Sequence, residues 1–229
     1  MLCIVQARMS SRRLPGKVLM KIQGKTLIER VVERVSKSKH VTKIIVATSK
    51  NNTDIPLREL CFEKKIECYA GSLPNVACRF YEILKKFNSK SFLRISADSP
   101  FIDPQLIDKC LLKFNNTNSD IVTNVFPRTF PKGQSVEIIK SSVFKKNLPK
   151  IKKKAYLEHI TKFFYKNKNN FKINALINNK NYSKFNMSVD TASDIKRVRI
   201  IYKKMSHLRN KKISWKKIIK QYYEKKINR

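Results

Sequence analysis

Short apolar segments alternate with amphipathic segments through the first half of the chain, and this alternation constrains the fold more than any other sequence feature. Several of the apolar segments are hydrophobic on both faces, as strands buried inside a parallel sheet are. Strands are predicted for LCIVQA (2–7), KIIVAT (43–48), ECYAG (67–71), SFLRIS (91–96) and DIVTNV (120–125).

The segments between these strands carry the spacing and the end signals of helices. Thr26 and Glu29 fit a capping box before an apolar stripe, and Asp103 followed by Pro104 is a typical helix start. Helices are predicted for 26–38, 57–64, 76–87 and 104–114. Strands and helices in alternation favour a parallel α/β sheet with right-handed connections.

The pattern changes after residue 125, where a loop with two prolines begins. The elements predicted beyond it are a strand in SVEIIK, a helix in AYLEHITKFFYKN, strands in FKINALI and FNMSVD, and helices in TASDIKRVRIIYKKM and SWKKIIKQYYEKKI. Because no long linker interrupts the chain, we expect a single domain over 1–229. Within it, 1–125 forms the first half, 126–206 an elaboration, and 207–229 a basic C-terminal helix.

Composition matters chiefly through charge, since 51 Lys and Arg stand against 16 Asp and Glu and leave a net charge of +35. Such a chain attracts polyanions. However, lysine and asparagine fill almost every loop, and a simple compositional bias produces the same excess. The position of the cations relative to strand ends is therefore more informative than their number.

Cysteine usage and hydropathy bear on the compartment. The five cysteines are odd in number and lack C-x-x-C spacing, which argues against a zinc site or a disulfide framework. The first apolar segment ends at Gln6 and Arg8, too early for a signal peptide, and no apolar stretch reaches the length of a membrane span. We expect a cytoplasmic protein without membrane insertion.

The segment VQARMSSRRLPGK, residues 5–17, contains a cluster of cations directly after the first strand. In an open α/β sheet, ligands bind beyond the carboxyl ends of the strands. Backbone N–H groups, two serines and several cations at that edge could wrap a polyphosphate, while a solvated basic loop is the alternative. The segment matches neither the P-loop pattern nor the G-x-G-x-x-G pattern.

Two carboxylates end other predicted strands. Asp98 follows the strand of RISADSP and Asp190 follows that of MSVDTASD. Mg²⁺ takes one or two protein carboxylates and completes its coordination with water and substrate phosphates. Spacing alone leaves open whether the two carboxylates meet, since an Asp at a strand end also serves as a cap or turn residue.

These segments resemble the SpsF-type cytidylyltransferases, relatives of the 3-deoxy-manno-octulosonate and acylneuraminate cytidylyltransferases. The resemblance begins with QARMSSRRLPGKVLMKIQGKTLIERVVERV and continues in order through IIVATS, YAGSLPNVACRFYE, LRISADSPFIDPQLID, FPKGQSVEII, LEHIT and MSVDTASDIKRVR. It therefore covers nearly the whole chain. The ARMxSxRLPGK portion is its most specific part.

The resemblance implies a Rossmann-like, mixed and mostly parallel sheet of the nucleotide-diphospho-sugar transferase type. It also implies transfer of CMP from CTP to an acidic or other sugar, with release of pyrophosphate, for surface polysaccharide synthesis. Mg²⁺ would be the cofactor and a homodimer the assembly. Residues 1–125 would then hold the nucleotide, and 126–206 would serve the acceptor and dimerisation.

Site residues carry over by position. The implied roles are nucleotide binding by Ala7, Arg8, Ser11, Arg13, Lys17, Asn75, Val76 and Arg79, catalysis by Arg8, Lys17 and Asp98, metal binding by Asp98 and Asp190, and acceptor binding by Glu137, Glu158 and His159. Of these, Asn75, Val76 and Arg79 fall in the segment that resembles the part facing the base. The chain departs from the family pattern at several places, among them Ser135, which replaces a common Asp. These departures concern recognition of the base or acceptor more than the phosphate chemistry.

Two other functions remain open at this point. A glycosyltransferase on a similar fold would consume a nucleotide sugar, but the chain lacks the D-x-D motif usual there. A nucleic-acid-binding protein would exploit the charge, with a steep salt dependence. The sequence lacks the interleaved aromatic and basic residues of RRM-type modules, so no specific nucleic-acid partner is expected.

Overall fold

A computed structural model of the chain describes residues 1–205 and 213–223. The strands in these ranges are β1 (Leu2–Gln6), β2 (Lys21–Ile22), β3 (Lys25–Thr26), β4 (Lys43–Ser49), β5 (Cys68–Gly71), β6 (Ser91–Ser96), β7 (Ile121–Thr123), β8 (Glu137–Lys140) and β9 (Ile173–Ala175). The α-helices are α1 (Leu27–Val35), α2 (Ile55–Glu63), α3 (Val76–Lys86), α4 (Pro104–Asn115), α5 (Ser141–Asn147), α6 (Lys154–Glu158), α7 (Ile160–Lys166), α8 (Ala192–Met205) and α9 (Trp215–Tyr222).

Seven strands form one sheet in the order β5-β4-β1-β6-β8-β7-β9. β1 pairs parallel with β4 and β6, whereas β8 runs antiparallel to both β6 and β7. The sheet is thus mixed and mostly parallel, which confirms the predicted fold class. The chain moves outward from β1 to β4 and β5 and then returns to the other side of β1. Such a reversal opens a crevice at the carboxyl ends of the strands.

The central strand is buried on both faces, as its sequence predicts. Leu2 and Ile4 belong to one apolar cluster and Cys3 and Val5 to the other, and none of the four is more than 5% exposed. Successive side chains of a strand point to opposite faces, so β1 contributes to two cores. Helices α3, α5 and α7 cover one face of the sheet, and α1, α4, α8 and α9 cover the other.

The predicted helix starts are confirmed. The side chain of Thr26 accepts a hydrogen bond from the Glu29 N–H, and the Glu29 carboxylate accepts one from the Thr26 N–H at 2.7 Å. Asp103 accepts from the Gln105 N–H at 2.9 Å, with Pro104 in the first helical position. Each cap satisfies backbone donors that the first turn of a helix leaves unpaired.

Two predicted elements differ in the structure. FNMSVD is not a strand, because its backbone bonds separately to two loops: Met187 N–H donates to the Lys132 carbonyl and Val189 N–H to the Asp98 carbonyl. The single helix predicted in AYLEHITKFFYKN is divided into α6 and α7 at His159, whose φ of −113° and ψ of 75° lie outside the helical region. The break allows α7 to bury its aromatic face while Glu158 lies toward β1.

The predicted C-terminal helix, 207–229, is described in part. Ser214 caps α9 by accepting from the Lys217 N–H, and Trp215 is buried against Phe130 and Tyr182. Trp215 is therefore a packing residue, as its helical spacing predicts. Residues 206–212 and 224–229 lie outside the described residues. Within 1–205 and 213–223, no helix has the length and apolar character needed to cross a membrane.

Candidate active site

The loop after β1 is closed by its own backbone. The N–H groups of Ser11 and Gly16 both donate to the Met9 carbonyl, at 2.9 and 2.8 Å. Gly16 has a φ of +71°, a left-handed conformation that glycine adopts without strain. The turn sends Arg12 and Arg13 into solvent and directs Lys17 inward. The order of residues in the loop therefore separates exposed cations from a buried one.

Lys17 contacts both predicted metal ligands, Asp98 in the loop after β6 and Asp190 in the loop before α8. Its ammonium group is 3.0 Å from Asp190 Oδ1 and 3.4 Å from Asp98 Oδ2, and it donates to the Val189 carbonyl at 2.6 Å. The Lys17 residue is only 9% exposed. Arg13 adds a second ion pair to Asp190 at 2.9 Å. Two acids and two cations that are far apart in sequence thus share one polar centre beyond β1 and β6.

The donor set at this centre fits Mg²⁺. Asp98 and Asp190 supply two carboxylates, and the described residues contain no cluster of three or more His, Cys, Asp or Glu able to hold a metal ion. Two carboxylates are what Mg²⁺ takes from a protein when substrate phosphates and water fill its other positions. An all-protein cage of the zinc type does not fit these residues.

Arg8, the first cation of the loop, forms an ion pair with Glu158 at the end of α6. The Gln6 side chain donates weakly to the Glu158 carbonyl at 3.5 Å. Arg8 and Glu158 are each about one third exposed, 33% and 37% of their side-chain surface. Glu158 therefore faces the loop after β1, and His159 beside it is exposed at the break between α6 and α7.

Sequence reasoning missed the residue that anchors this loop. Asp54 is fully buried; Oδ1 accepts from the Met9 N–H, while Oδ2 accepts from Thr48 Oγ1 and from the Ser49 N–H, all within 3.0 Å. Burial alone would raise the pKa of Asp54, but these hydrogen bonds outweigh it and lower the pKa. The signal in the sequence is an Asp two residues before Pro56, at the start of a helix and five residues after the end of β4.

The residues assigned to the base lie at the start of α3, next to β4 and β5. Asn75 caps α3 by accepting from the Cys78 N–H at 2.8 Å, and Val76 is buried. Ala7 is buried too, and its N–H donates to the Ala47 carbonyl. Arg79 is 1% exposed.

The Arg79 guanidinium is occupied by main-chain acceptors. It donates to the Ser72 carbonyl at 2.7 and 3.2 Å and to the Ala47 carbonyl at 3.2 Å. Burial lowers its pKa to about 10. Its hydrogen bonds hold the loop after β5 against β4, so its visible role is to support the crevice wall rather than to face the crevice.

A cavity of about 340 Å³ opens beside Asp98 on the side of β6 and β8. Glu137 lies in its wall, where its carboxylate pairs with Arg94 and accepts from the Tyr165 hydroxyl at 2.6 Å. Burial and the neighbouring Glu137 charge raise the pKa of Tyr165 well above its ordinary value. Of the three residues assigned to the acceptor, Glu137 lines this cavity, whereas Glu158 and His159 do not.

A mixed sheet of this order, with a cationic loop and two carboxylates at the crevice, defines a nucleotidyltransferase of the nucleotide-sugar transferase fold. The chain belongs to the cytidylyltransferase family, whose model matches residues 2–226. It is similar to the spore coat polysaccharide biosynthesis protein SpsF of Bacillus subtilis, with 26% identity over 211 residues, 89% of this chain and 86% of that protein.

Two further relatives support the assignment. A cytidylyltransferase structure from Leptospira borgpetersenii aligns with a TM-score of 0.91 and 26% identity, covering 98% of this chain and 94% of that one. A 3-deoxy-manno-octulosonate cytidylyltransferase of Geotalea daltonii is 32% identical over 108 residues, 47% of this chain and 42% of that protein. The resemblance inferred from the motifs is therefore confirmed.

Proposed function

We propose that this protein transfers CMP from CTP to a hydroxyl group of a sugar, with Mg²⁺ as cofactor and pyrophosphate as the leaving group. The observation that carries the proposal is the placement of Lys17 between Asp98 and Asp190 at the crevice edge. A buried cation and two carboxylates at one point suit a metal-bound triphosphate. Cytidylyl transfer to 3-deoxy-manno-octulosonate, named for the Geotalea relative, supports the choice of nucleotide and acceptor.

The loop residues position the triphosphate and neutralise its charge. The acceptor hydroxyl attacks the α-phosphorus, the bond from that phosphorus to the bridging oxygen of pyrophosphate breaks, and the hydroxyl proton passes to solvent or a nearby base. Arg8, Arg13 and Lys17 stabilise the negative charge that develops on the leaving oxygens. Ser11 and the backbone N–H groups of the loop hold the phosphates in register.

Asp98 and Asp190 would hold the metal ion. When bound, Mg²⁺ supplies Lewis-acid stabilisation of the phosphate oxygens. Arg13 and Lys17, which pair with these carboxylates, would then be available to the phosphates. Asn75 and Val76, next to the loop, remain the residues we assign to the base.

The proposal is tested by pyrophosphate release. The protein is incubated with CTP, Mg²⁺ and a panel of keto-sugar and ulosonic acids. Asp98→Asn and Asp190→Asn are compared with Asp120→Asn, which changes an acid directly before β7 and outside the proposed site. We expect both site variants to lose activity by about a hundredfold or more, with the control unchanged. Wild-type rates in the two site variants would refute the metal assignment.

The same assay separates the alternatives. Hydrolysis of a nucleotide sugar without pyrophosphate release would indicate a glycosyltransferase, and salt-sensitive binding of RNA or DNA without either activity would indicate a nucleic-acid-binding protein. A role in surface polysaccharide synthesis is supported by the SpsF relative. The homodimer stays a prediction, to be measured by sedimentation, and the cytoplasmic location one to be measured by cell fractionation.

A further inference from the structure

The cavity beside Asp98 holds more positive charge than its own acids neutralise. Its lining includes four cations and two acids. The cations are Arg94, Arg128, Lys132 and Lys162, and the acids are Asp98 and Glu137. Both acids are already engaged, since Glu137 pairs with Arg94 and Asp98 with Lys17 of the loop. Three cations therefore remain without a carboxylate partner among the described residues.

Arg128 is the best defined of these cations. Its guanidinium donates to Ser135 Oγ at 3.1 Å and reaches the Pro131 carbonyl at 3.5 Å, and both acceptors are neutral. Burial lowers the pKa of Arg128, while the charges of Glu137 and Tyr165 oppose that change. A partly buried cation whose hydrogen-bond acceptors are neutral has lost hydration without forming an ion pair of its own, so an incoming anion recovers the lost stabilisation.

The other two cations extend this charge toward solvent. Lys132 lies in the loop before β8 and Lys162 in the first turn of α7, and both side chains are exposed. Within the described residues, no hydrogen bond or ion pair engages either ammonium group. The two ammonium groups are therefore available to a ligand in the cavity without breaking an internal contact.

The backbone that carries Arg128 and Lys132 is held in place before any ligand binds. Lys132 exchanges hydrogen bonds with Phe185 and Met187, at 3.0 and 2.8 Å. The ring of Phe126 stacks on Tyr165 with centroids 4.8 Å apart. A preformed cluster loses little entropy when a ligand binds, so its charge is available for selecting a substrate.

We propose that this cavity selects an acceptor with two negative charges, and that Arg128 is the residue that determines this selectivity. The proposal rests on the proposed function and names its acceptor class: a hydroxylated compound bearing a phosphate, a phosphonate or two carboxylates. A single carboxylate would leave two of the three cations uncompensated. Two charges match the cluster more closely, with Arg128 offering a planar pair of donors and the lysines completing the neutralisation.

The test is a binding titration that needs neither nucleotide nor catalysis. Malonate, a small dianion at about pH 8, and acetate, its monoanionic counterpart, are titrated into the full-length protein at constant ionic strength by calorimetry and NMR. We expect malonate to bind at least about tenfold more tightly than acetate. Equal affinities would overturn the proposal.

Variants assign the site. Ser135→Asp places a carboxylate beside the Arg128 guanidinium without removing it, and we expect it to weaken malonate binding about tenfold. The neutral Ser135→Asn, of nearly the same size, should weaken it much less, because it adds no charge. Arg128→Gln should match Ser135→Asp, which keeps the test decisive if one variant does not fold. Lys162→Gln should weaken malonate, and Lys166→Gln, four residues further along α7, should not.

A loop variant distinguishes the cavity from the triphosphate loop. If Arg12→Gln removes malonate binding while Arg128→Gln does not, the anion binds the loop and the proposal is wrong. A protein that fails to release pyrophosphate from CTP but keeps the malonate preference would contradict the proposed function alone. A protein that releases pyrophosphate with a monoanionic acceptor as efficiently as with a dianionic one would contradict the selectivity alone.

Discussion

Replacement of Lys17 by methionine tests the polar centre most directly, because this side chain contacts both carboxylates. Methionine keeps the length and apolar stem of lysine and removes the ammonium group. Among the described residues, Asp190 then keeps its ion pair with Arg13, and Asp98 loses its ion-pair partner. We expect two measurable consequences, a loss of stability without divalent ions and a gain of stability when they are added.

The loss can be scaled from the geometry. Removing one partner of a fully buried ion pair costs about 3–5 kcal/mol. The side chains of Asp98 and Asp190 are 24% and 25% exposed, and solvent at that exposure screens part of the interaction. We therefore expect a loss of about 2 kcal/mol, which lowers the Tm of a chain of this length by roughly 4–8 °C.

The divalent ion reverses the effect. In the wild-type protein Lys17 competes with Mg²⁺ for the two carboxylates when no nucleotide is present, so we expect Mg²⁺ alone to change its Tm little. In Lys17→Met the competing ammonium group is gone and only the Arg13–Asp190 pair remains to be displaced among the described ion pairs, and an ion at ten times its Kd stabilises the folded state by about 1.4 kcal/mol. Thermal melts with and without Mg²⁺ measure both effects.

The control is Lys21→Met, which removes the same charge four residues further along at an exposed position in β2. We expect it to melt like the wild type in both conditions. The reasoning is refuted if Lys17→Met melts within about 1 °C of the wild type and shows no stabilisation by Mg²⁺. Pyrophosphate release should also fall in Lys17→Met, because the cation that steadies the leaving group is gone.

The remaining predictions concern the supports of the site. Asp54→Asn should destabilise the fold at neutral pH, because the amide replaces an acceptor with a donor. The pKa of Asp54 is lower in the folded state, so the ionised side chain stabilises the fold above the unfolded pKa, and this stabilisation is lost as pH falls below about 4. The free energy of unfolding should therefore depend less on pH in the acid range for the variant than for the wild type. The same pH dependence in both proteins would contradict this. Gly133→Ala should cost about 3 kcal/mol or more, because its φ is +87° and a Cβ would lie 2.7 Å from the Met187 carbonyl carbon. Gly24→Ala, with a φ of +77° but no atom within 4 Å, isolates the conformational part; equal melting temperatures of the two variants would contradict the clash.

Local signals predicted the elements well where short-range physics decides them. Apolar runs on both faces identified β1, β4 and β6, and the capping residues Thr26 and Asp103 identified the starts of α1 and α4. These features depend on neighbours within a few residues, so the local sequence is sufficient to predict them. The family motifs added the class of the protein for the same reason, because ARMSSRRLPGK is one continuous segment.

Predictions that depended on long-range partners were less complete. FNMSVD has the composition of a strand, but its backbone groups find loop partners instead of a neighbouring strand. The sequence predicts that Arg79 is available to a ligand, but its guanidinium donates hydrogen bonds to the carbonyls of Ser72 and Ala47. Asp54 and Tyr165 gave weak signals, because their importance comes from buried hydrogen bonds to residues that the sequence does not place beside them.

The sequence by itself determined that this chain builds a mostly parallel α/β sheet and places a cationic loop after its first strand, since periodicity and capping act over one or two turns. Only the tertiary structure decided that Lys17 meets Asp98 and Asp190, which are 81 and 173 residues away along the chain. The strand order brings the ends of β1 and β6 to one edge, and the hydrogen bond from the Val189 N–H to the Asp98 carbonyl holds Asp190 there. Contacts across such separations exist only once the sheet has assembled.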